Sequence, residues 1–113
     1  MKIAWIDHSF DELMYASRLF KEELEERGFK VDAAQFLQEF LEKYGGLEGY
    51  EGVIMHPGIT NYMDIKTVKD MCPGKPFAIV TNTSGDYREP GMAVFSYISV
   101  DEIAAFFRGK GKD

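Results

Sequence analysis

Short apolar runs alternate with amphipathic helical stripes along this chain, and no other feature of the sequence constrains the fold as strongly. Five runs have the length and composition of strands, over residues 2–6, 29–33, 52–55, 77–80 and 94–98. The run over 52–55 is apolar throughout, which is typical of a strand buried on both faces. Helical stripes follow the first, second, third and fifth runs. This order predicts a parallel sheet covered by helices on both faces.

Capping and breaking residues indicate where the helices begin and end. Ser9 with Glu12 and Ser99 with Glu102 both match the capping box, so a helix is predicted directly after each serine. Glycine or proline then ends each helical stripe, at Gly28, Gly45-Gly46, Pro73-Gly74 and Gly109. The residues expected to be buried are Leu13, Ala16, Phe20 and Leu24 on the first helix and Val100, Ile103, Ala104 and Phe107 on the last.

These elements predict a three-layer α/β/α fold with a five-stranded parallel sheet in the flavodoxin-like order 2-1-3-4-5. The segment over residues 82–91 is polar and rich in turn formers, so the helix between strands four and five is expected to be shortened or absent. At 113 residues the chain has the size of one domain. We expect that domain to cover residues 1–109, followed by a frayed tail over 110–113.

Charge and composition narrow the classes of partner. The formal net charge is −6, and residues 1–51 carry the whole excess, with 12 acidic and 6 basic side chains. Without a basic stripe, nucleic acid is not an expected partner. No apolar run approaches the roughly 20 residues that cross a bilayer, so no membrane association is expected. The lone Cys72 excludes an internal disulfide and is expected to be a buried, inert thiol, which fits a cytoplasmic protein. No cofactor is predicted.

Polar residues end the strands that meet at the switch point of this topology. Asp7 and His8 follow strand one, and His56 follows strand three. In the order 2-1-3-4-5 these strands are neighbours, so a ligand site is expected there. The two histidines are the only ones in the chain, and one can act as general base while the other orients it, or both can bind a metal ion together with Asp7. Two simpler readings stay open: Asp7 satisfies backbone N–H groups of the next turn, and the histidines are adjacent by chance.

Strand four ends at Thr81, which adds a hydroxyl to the same edge. The loop that follows offers hydroxyl, amide and backbone N–H groups that can cradle a phosphate or another anion. It lacks the spacing of a P-loop or a dinucleotide fingerprint, and turn formation is the alternative explanation. The candidate anion-binding residues are Thr81, Asn82, Thr83, Ser84 and Gly85.

Several segments resemble the response-regulator receiver family of the CheY type. They are the Ile-Asp ending of strand one and the runs over residues 50–56 and 75–81. The resemblance implies that Asp7 stands where receivers keep a metal-binding acid and Thr81 where they keep a hydroxyl. His56 stands in place of the phosphorylated aspartate, and Ser99 in place of the lysine that follows strand five. The resemblance therefore implies a receiver-like module that is not phosphorylated. Its expected role is to bind a protein partner or to form a homodimer.

Residues 7–13 and 50–58 also resemble the opening segments of the class I glutamine-amidotransferase-like superfamily. That superfamily carries a cysteine nucleophile on a tight turn after a later strand. The corresponding stretch of this chain, residues 78–83, contains no cysteine. The resemblance therefore implies a related fold without that chemistry.

Two hypotheses of different classes follow. One is a phosphorylation-incompetent, receiver-like interaction module. The other is a small enzyme or a metal- or anion-binding domain that uses Asp7, His8, His56 and Thr81 at the edge of strands one and three. A separation of the two histidine side chains by more than about 8 Å would exclude the second hypothesis, because Zn–N bonds are near 2 Å.

Overall fold

The computed structural model describes residues 1–56, 62–81 and 93–110. Its sheet contains five strands in the order β2-β1-β3-β4-β5, and every neighbouring pair is parallel. The strands are β1 (Lys2–Asp7), β2 (Lys30–Ala34), β3 (Gly52–His56), β4 (Phe77–Thr81) and β5 (Ala93–Ser96). The predicted α/β fold with a flavodoxin-like strand order is therefore confirmed.

Four helices accompany the sheet within the described residues: α1 (Tyr15–Glu26), α2 (Leu37–Tyr44), α3 (Tyr62–Met71) and α4 (Val100–Lys110). The segment between β4 and β5 lies outside the described residues, and so does the predicted shortening or loss of a helix there. Residues 111–113 also lie outside them, so the division into a domain and a frayed tail stays a prediction.

Two apolar clusters, one on each face of the sheet, give the fold its three layers. The first joins α1 and α4 to the sheet through Phe20, Leu24, Ile103 and Phe107. Gly52 makes this packing possible, because a Cβ atom there would lie 2.6 Å from the Phe107 ring. The second cluster joins α2 and α3 to the opposite face, with side chains that include Phe40, Ile65, Val68 and Cys72. The predicted burial of Cys72 and of the α4 stripe is confirmed.

The start of α1 differs from its prediction. The helix begins at Tyr15 instead of directly after Ser9, and the intervening residues form turns. Ser9 does not cap the helix, because its hydroxyl and its backbone N–H both donate to Asp7. Leu13 is consequently 88% exposed and Ala16 is exposed too, which contradicts the predicted stripe. The buried side chains of α1 are Ser17, Phe20 and Leu24.

Smaller differences occur at the two edge strands of the sheet. Strand β2 is displaced by one residue from its predicted range, and β5 ends at Ser96, so Ile98 lies outside the sheet and is 91% exposed. Helix α2 ends as predicted, with Gly45 in the left-handed conformation at φ 85°. No helix among the described residues is long and apolar enough to span a membrane.

Candidate functional site

The sheet register brings the two histidines together. Asp7 and His56 are direct partners in the pairing of β1 with β3, and His8 follows Asp7 as β1 ends. The imidazole rings of His8 and His56 stack, with their centroids 4.7 Å apart and their planes 9° from parallel. The predicted adjacency of the two strand ends is confirmed, and the histidine side chains meet there. Their separation is well inside the limit that would have excluded a shared ion.

His56 is held in one orientation by the neighbouring strand. Its Nδ1 lies 2.7 Å from the carbonyl oxygen of Val80 in β4. A carbonyl only accepts hydrogen bonds, so Nδ1 carries the proton and donates it. In the neutral ring Nε2 then has the free lone pair. This is the arrangement usually found for metal-binding histidines, whose other ring nitrogen donates to a backbone carbonyl or a carboxylate.

Asp7 is a buried carboxylate, 1% exposed, with four hydrogen-bond donors around it. Its Oδ1 accepts from the Ser9 backbone N–H at 2.9 Å and from the Ser9 hydroxyl at 2.7 Å. Its Oδ2 accepts from the Trp5 indole N–H at 3.1 Å and from the Tyr97 hydroxyl. A carboxylate offers about four lone-pair positions, so this set occupies all of them. The structural role expected for Asp7 in the turn is present, and it is one part of a larger network.

Tyr97 is a site residue that sequence reasoning missed. It follows β5, and its ring packs edge-on against Phe20 at 5.4 Å and lies tilted over His56 at 5.8 Å. Burial raises the pKa of its hydroxyl, and the negative charge of Asp7 and the hydrogen bond to it raise the pKa further. The hydroxyl therefore stays protonated and remains a donor to Asp7. A tyrosine ninety positions along the chain from Asp7 gives no local signal of this contact.

Thr81 ends β4 at the same edge, opposite Ser96 of β5, and is buried. The rest of the candidate anion-binding loop, Asn82, Thr83, Ser84 and Gly85, lies outside the described residues. An anion site on that loop therefore stays a prediction.

The donor atoms of Asp7, His8 and His56 all lie within 4.8 Å of one another. Two ligands of one tetrahedral zinc ion are about 3.3 Å apart, given Zn–N bonds near 2 Å. The cluster is therefore slightly wider than a closed metal site. Because the histidine rings are nearly parallel, their in-plane lone pairs do not converge either. His8 is exposed, and its side chain would have to rotate out of the stack on His56 for both imidazoles to reach one ion.

Exposed apolar side chains lie in the segments that follow β1, β2 and β5. They are Leu13 (88% exposed), Met14 (52%), Tyr15 (71%), Phe36 (48%) and Ile98 (91%). The segment after β1 is tied to the one after β2 by a hydrogen bond of 2.8 Å from the Gln35 amide to the Phe10 carbonyl. A 3.3 Å ion pair between Glu12 and Lys43 joins the segment after β1 to the last turn of α2. The site thus has apolar side chains in the segments that flank it.

Comparison with known proteins adds information on the fold. No protein-family model matches the chain, and no curated protein is significantly similar to it. Among solved structures, the lysine decarboxylase LdcF of Francisella novicida superposes on 99% of this chain with a TM-score of 0.61. The sequences are 11% identical, and the match covers 18% of that enzyme's chain. At this identity the likeness establishes a shared fold and nothing about chemistry.

Proposed function

We propose that this protein binds a divalent transition-metal ion at the carboxyl edge of its sheet, through His8, His56 and Asp7. The observation that carries the proposal is the convergence of two imidazoles and a carboxylate within 4.8 Å. These are the only histidines of the chain, and they come from segments 48 positions apart. The sheet topology alone brings them together, next to the strand order's switch point, where ligands bind in such folds.

The surroundings of the ligands support this proposal. The hydrogen bond to Val80 fixes the His56 ring, and donors on both oxygens fix the Asp7 carboxylate. Outer contacts of this kind orient metal ligands and typically change metal affinity by about 10- to 100-fold. Two ligands are therefore preorganised, while the exposed His8 has to leave its stack on His56 to reach an arriving ion.

The donor set favours a particular class of ion. Imidazole nitrogen suits Zn²⁺, Ni²⁺, Co²⁺ and Cu²⁺, whereas Mg²⁺ and Ca²⁺ require mostly oxygen ligands. Three protein ligands leave at least one coordination position for water or for a small molecule. The expected ligand is therefore Zn²⁺ or a similar ion with an exchangeable position.

Titration of the tag-free protein with Zn²⁺ tests the proposal. Isothermal titration calorimetry is expected to give one ion per chain, with His8→Ala and His56→Ala each weakening binding by roughly tenfold or more. Glu26→Gln is the matched control, since this exposed carboxylate is the last residue of α1, at the end of the helix far from its junction with β1. Mg²⁺ is expected not to bind. Zn²⁺ binding that survives both histidine substitutions, or that is absent at millimolar ion, contradicts the proposal.

Trp5 provides an independent signal. It is the only tryptophan, and its indole N–H lies 3.1 Å from the Asp7 carboxylate. A paramagnetic ion such as Cu²⁺ bound at Asp7 is expected to quench Trp5 fluorescence, with the same stoichiometry as the heat signal. Quenching that persists in His8→Ala and His56→Ala would indicate binding elsewhere.

A second candidate is the receiver-like interaction module that lacks phosphorylation. The strand order, His56 at the end of β3 and the exposed apolar side chains around the edge favour it. Contiguous exposed apolar patches often mark protein contacts, and Leu13, Met14 and Tyr15 are consecutive exposed apolar residues. Sedimentation velocity of the wild type and of a Leu13→Ser, Ile98→Ser double variant tests for a homodimer. A dimer that the double variant converts to monomer supports this candidate, and a monomeric wild type argues against self-association.

A further inference from the structure

The two oxygens of Asp7 have donors of very different mobility. Oδ2 accepts from the indole of Trp5 and from the hydroxyl of Tyr97. Trp5 is 1% exposed and is held edge-on between Phe10 at 5.2 Å and Phe20 at 4.8 Å. Moving either donor away from Oδ2 would disturb the aromatic core and leave a buried polar group unsatisfied. Oδ2 is therefore closed to a metal ion.

Oδ1 has one fixed donor and one movable donor, and both belong to Ser9. The Ser9 backbone N–H is part of the turn that follows β1 and stays in place. The Ser9 hydroxyl, 2.7 Å from Oδ1, belongs to an exposed side chain. The Ser9 side chain also hydrogen-bonds to Tyr97. Rotation about one bond turns this hydroxyl to solvent, where water replaces both partners. The Ser9 hydroxyl is therefore the donor that an ion can displace at the smallest cost.

We infer that a transition-metal ion binds Asp7 through Oδ1 alone, by displacing the hydroxyl of Ser9. This inference rests on the proposed metal site and adds its coordination mode. The carboxylate is monodentate, and Trp5 and Tyr97 hold it in place through hydrogen bonds to Oδ2. The Ser9 hydroxyl lowers the affinity for the metal ion, because it competes for the same lone pair of Oδ1. A site with one available carboxylate oxygen and two imidazole nitrogens selects against Ca²⁺, which takes 6–8 oxygen ligands.

Substitutions at Ser9 test the competition. Ser9→Ala removes the hydroxyl and keeps the backbone N–H, so Zn²⁺ is expected to bind roughly threefold to tenfold more tightly, the worth of one hydrogen bond. Ser9→Thr keeps a hydroxyl and is the matched control, with an affinity within about twofold of wild type on the same ground. Equal or weaker binding by Ser9→Ala overturns the inference.

The indole N–H signal of Trp5 tests which oxygen the ion takes. With a single tryptophan, the ¹H–¹⁵N spectrum contains one indole resonance. If Zn²⁺ binds Oδ1, the indole stays hydrogen-bonded to Oδ2, so its proton is expected to shift little and to remain protected from exchange. An ion on Oδ2 would displace the indole or the Tyr97 hydroxyl. Displacement of the indole would move its resonance upfield and speed its exchange, and this result overturns the inference.

The two proposals fail in distinguishable ways. If the wild type does not bind Zn²⁺ and Ser9→Ala does not either, the metal site itself is wrong. If the wild type binds through both histidines but Ser9→Ala shows no gain, the site stands and the displacement of Ser9 is wrong. Folding is not at risk in either variant, since Ser9 is exposed and lies in a turn.

Discussion

The junctions before α1 and before α4 carry the same sequence signal and fold differently. Each has a serine followed three residues later by glutamate, at Ser9 and at Ser99. After Ser99 the helix begins at once, with Val100. After Ser9 it is delayed to Tyr15, because Asp7 takes both donors of Ser9. A buried carboxylate two residues before the serine thus overrides a capping box, and the exception lies at the candidate functional site, where such conflicts are expected.

Substitutions at the equivalent apolar positions of the two junctions are expected to differ most in their effect on the free energy of unfolding. Leu13 and Ile103 both stand four residues after the serine, but Leu13 is 88% exposed and Ile103 is fully buried. Ile103→Ala is therefore expected to lower the free energy of unfolding by about 4 kcal/mol, through lost burial and the cavity left behind. Leu13→Ala is expected to leave it within about 0.5 kcal/mol of wild type.

Urea unfolding followed by circular dichroism measures both effects. A loss for Leu13→Ala comparable to that for Ile103→Ala would show that the α1 helix begins near Ser9 in solution, and would remove the contrast between the junctions.

The next largest loss of stability is expected on removal of the Asp7 carboxylate, which distinguishes the first junction. Asp7→Ala leaves the indole of Trp5 and the hydroxyl of Tyr97 without their buried acceptor, which is expected to cost about 3 kcal/mol. Asp101→Ala is the control at the second junction, because its ion pair with Arg27 is exposed and its loss is expected to leave the unfolding midpoint unchanged. Equal midpoints for the two variants would show that the Asp7 network does not hold β1 and β5 together.

Much of the fold was predictable because its signals are local. The continuous apolar run of β3 and the glycine after α2 specify an element or its end within a few residues. Strand order then followed from the connection rules for parallel sheets, and with it the adjacency of the strand ends that carry His8 and His56.

The rest of the site depends on contacts between distant segments. Trp5 is buried in the core and also donates to Asp7. Tyr97 reaches the same carboxylate from beyond β5, and no spacing or composition within its own segment indicates this. The position of α1 was wrong for the same reason, since a pattern confined to residues 9–12 contains no information about the buried acceptor at Asp7.

High pH is expected to weaken the hydrogen bond from the Tyr97 hydroxyl to Asp7, which joins the two junctions. The pKa of Tyr97 is raised in the folded protein by burial and by Asp7, and that of Tyr50 by burial and by Asp32. A group whose pKa is raised on folding adds stability below its unfolded pKa, and this stability is lost as the pH rises through its folded pKa. Stability is therefore expected to hold up to about pH 10, the ordinary tyrosine pKa, and to decline above it.

Urea unfolding at pH 8 and at pH 11 measures this loss. Tyr97→Phe and Tyr50→Phe are each expected to reduce the difference between the two pH values. Tyr15→Phe is the matched control, because this tyrosine is 71% exposed and is expected to leave the difference unchanged. A pH dependence that neither buried-site variant alters would place the alkaline loss elsewhere in the chain.

The smallest effect on stability is expected from substitution of His8. This variant therefore distinguishes a loss of metal binding from a loss of folding. His8 is exposed and stacks on His56, whereas His56 also donates to the Val80 carbonyl at 2.7 Å. His8→Ala is expected to change the free energy of unfolding by less than about 0.5 kcal/mol, and His56→Ala to lower it by about 1 kcal/mol. Both variants are nevertheless expected to lose most Zn²⁺ affinity. If His8→Ala destabilised the ion-free protein as much as His56→Ala, the stack would be part of the folded framework, and His8 would lack the freedom to rotate onto an ion.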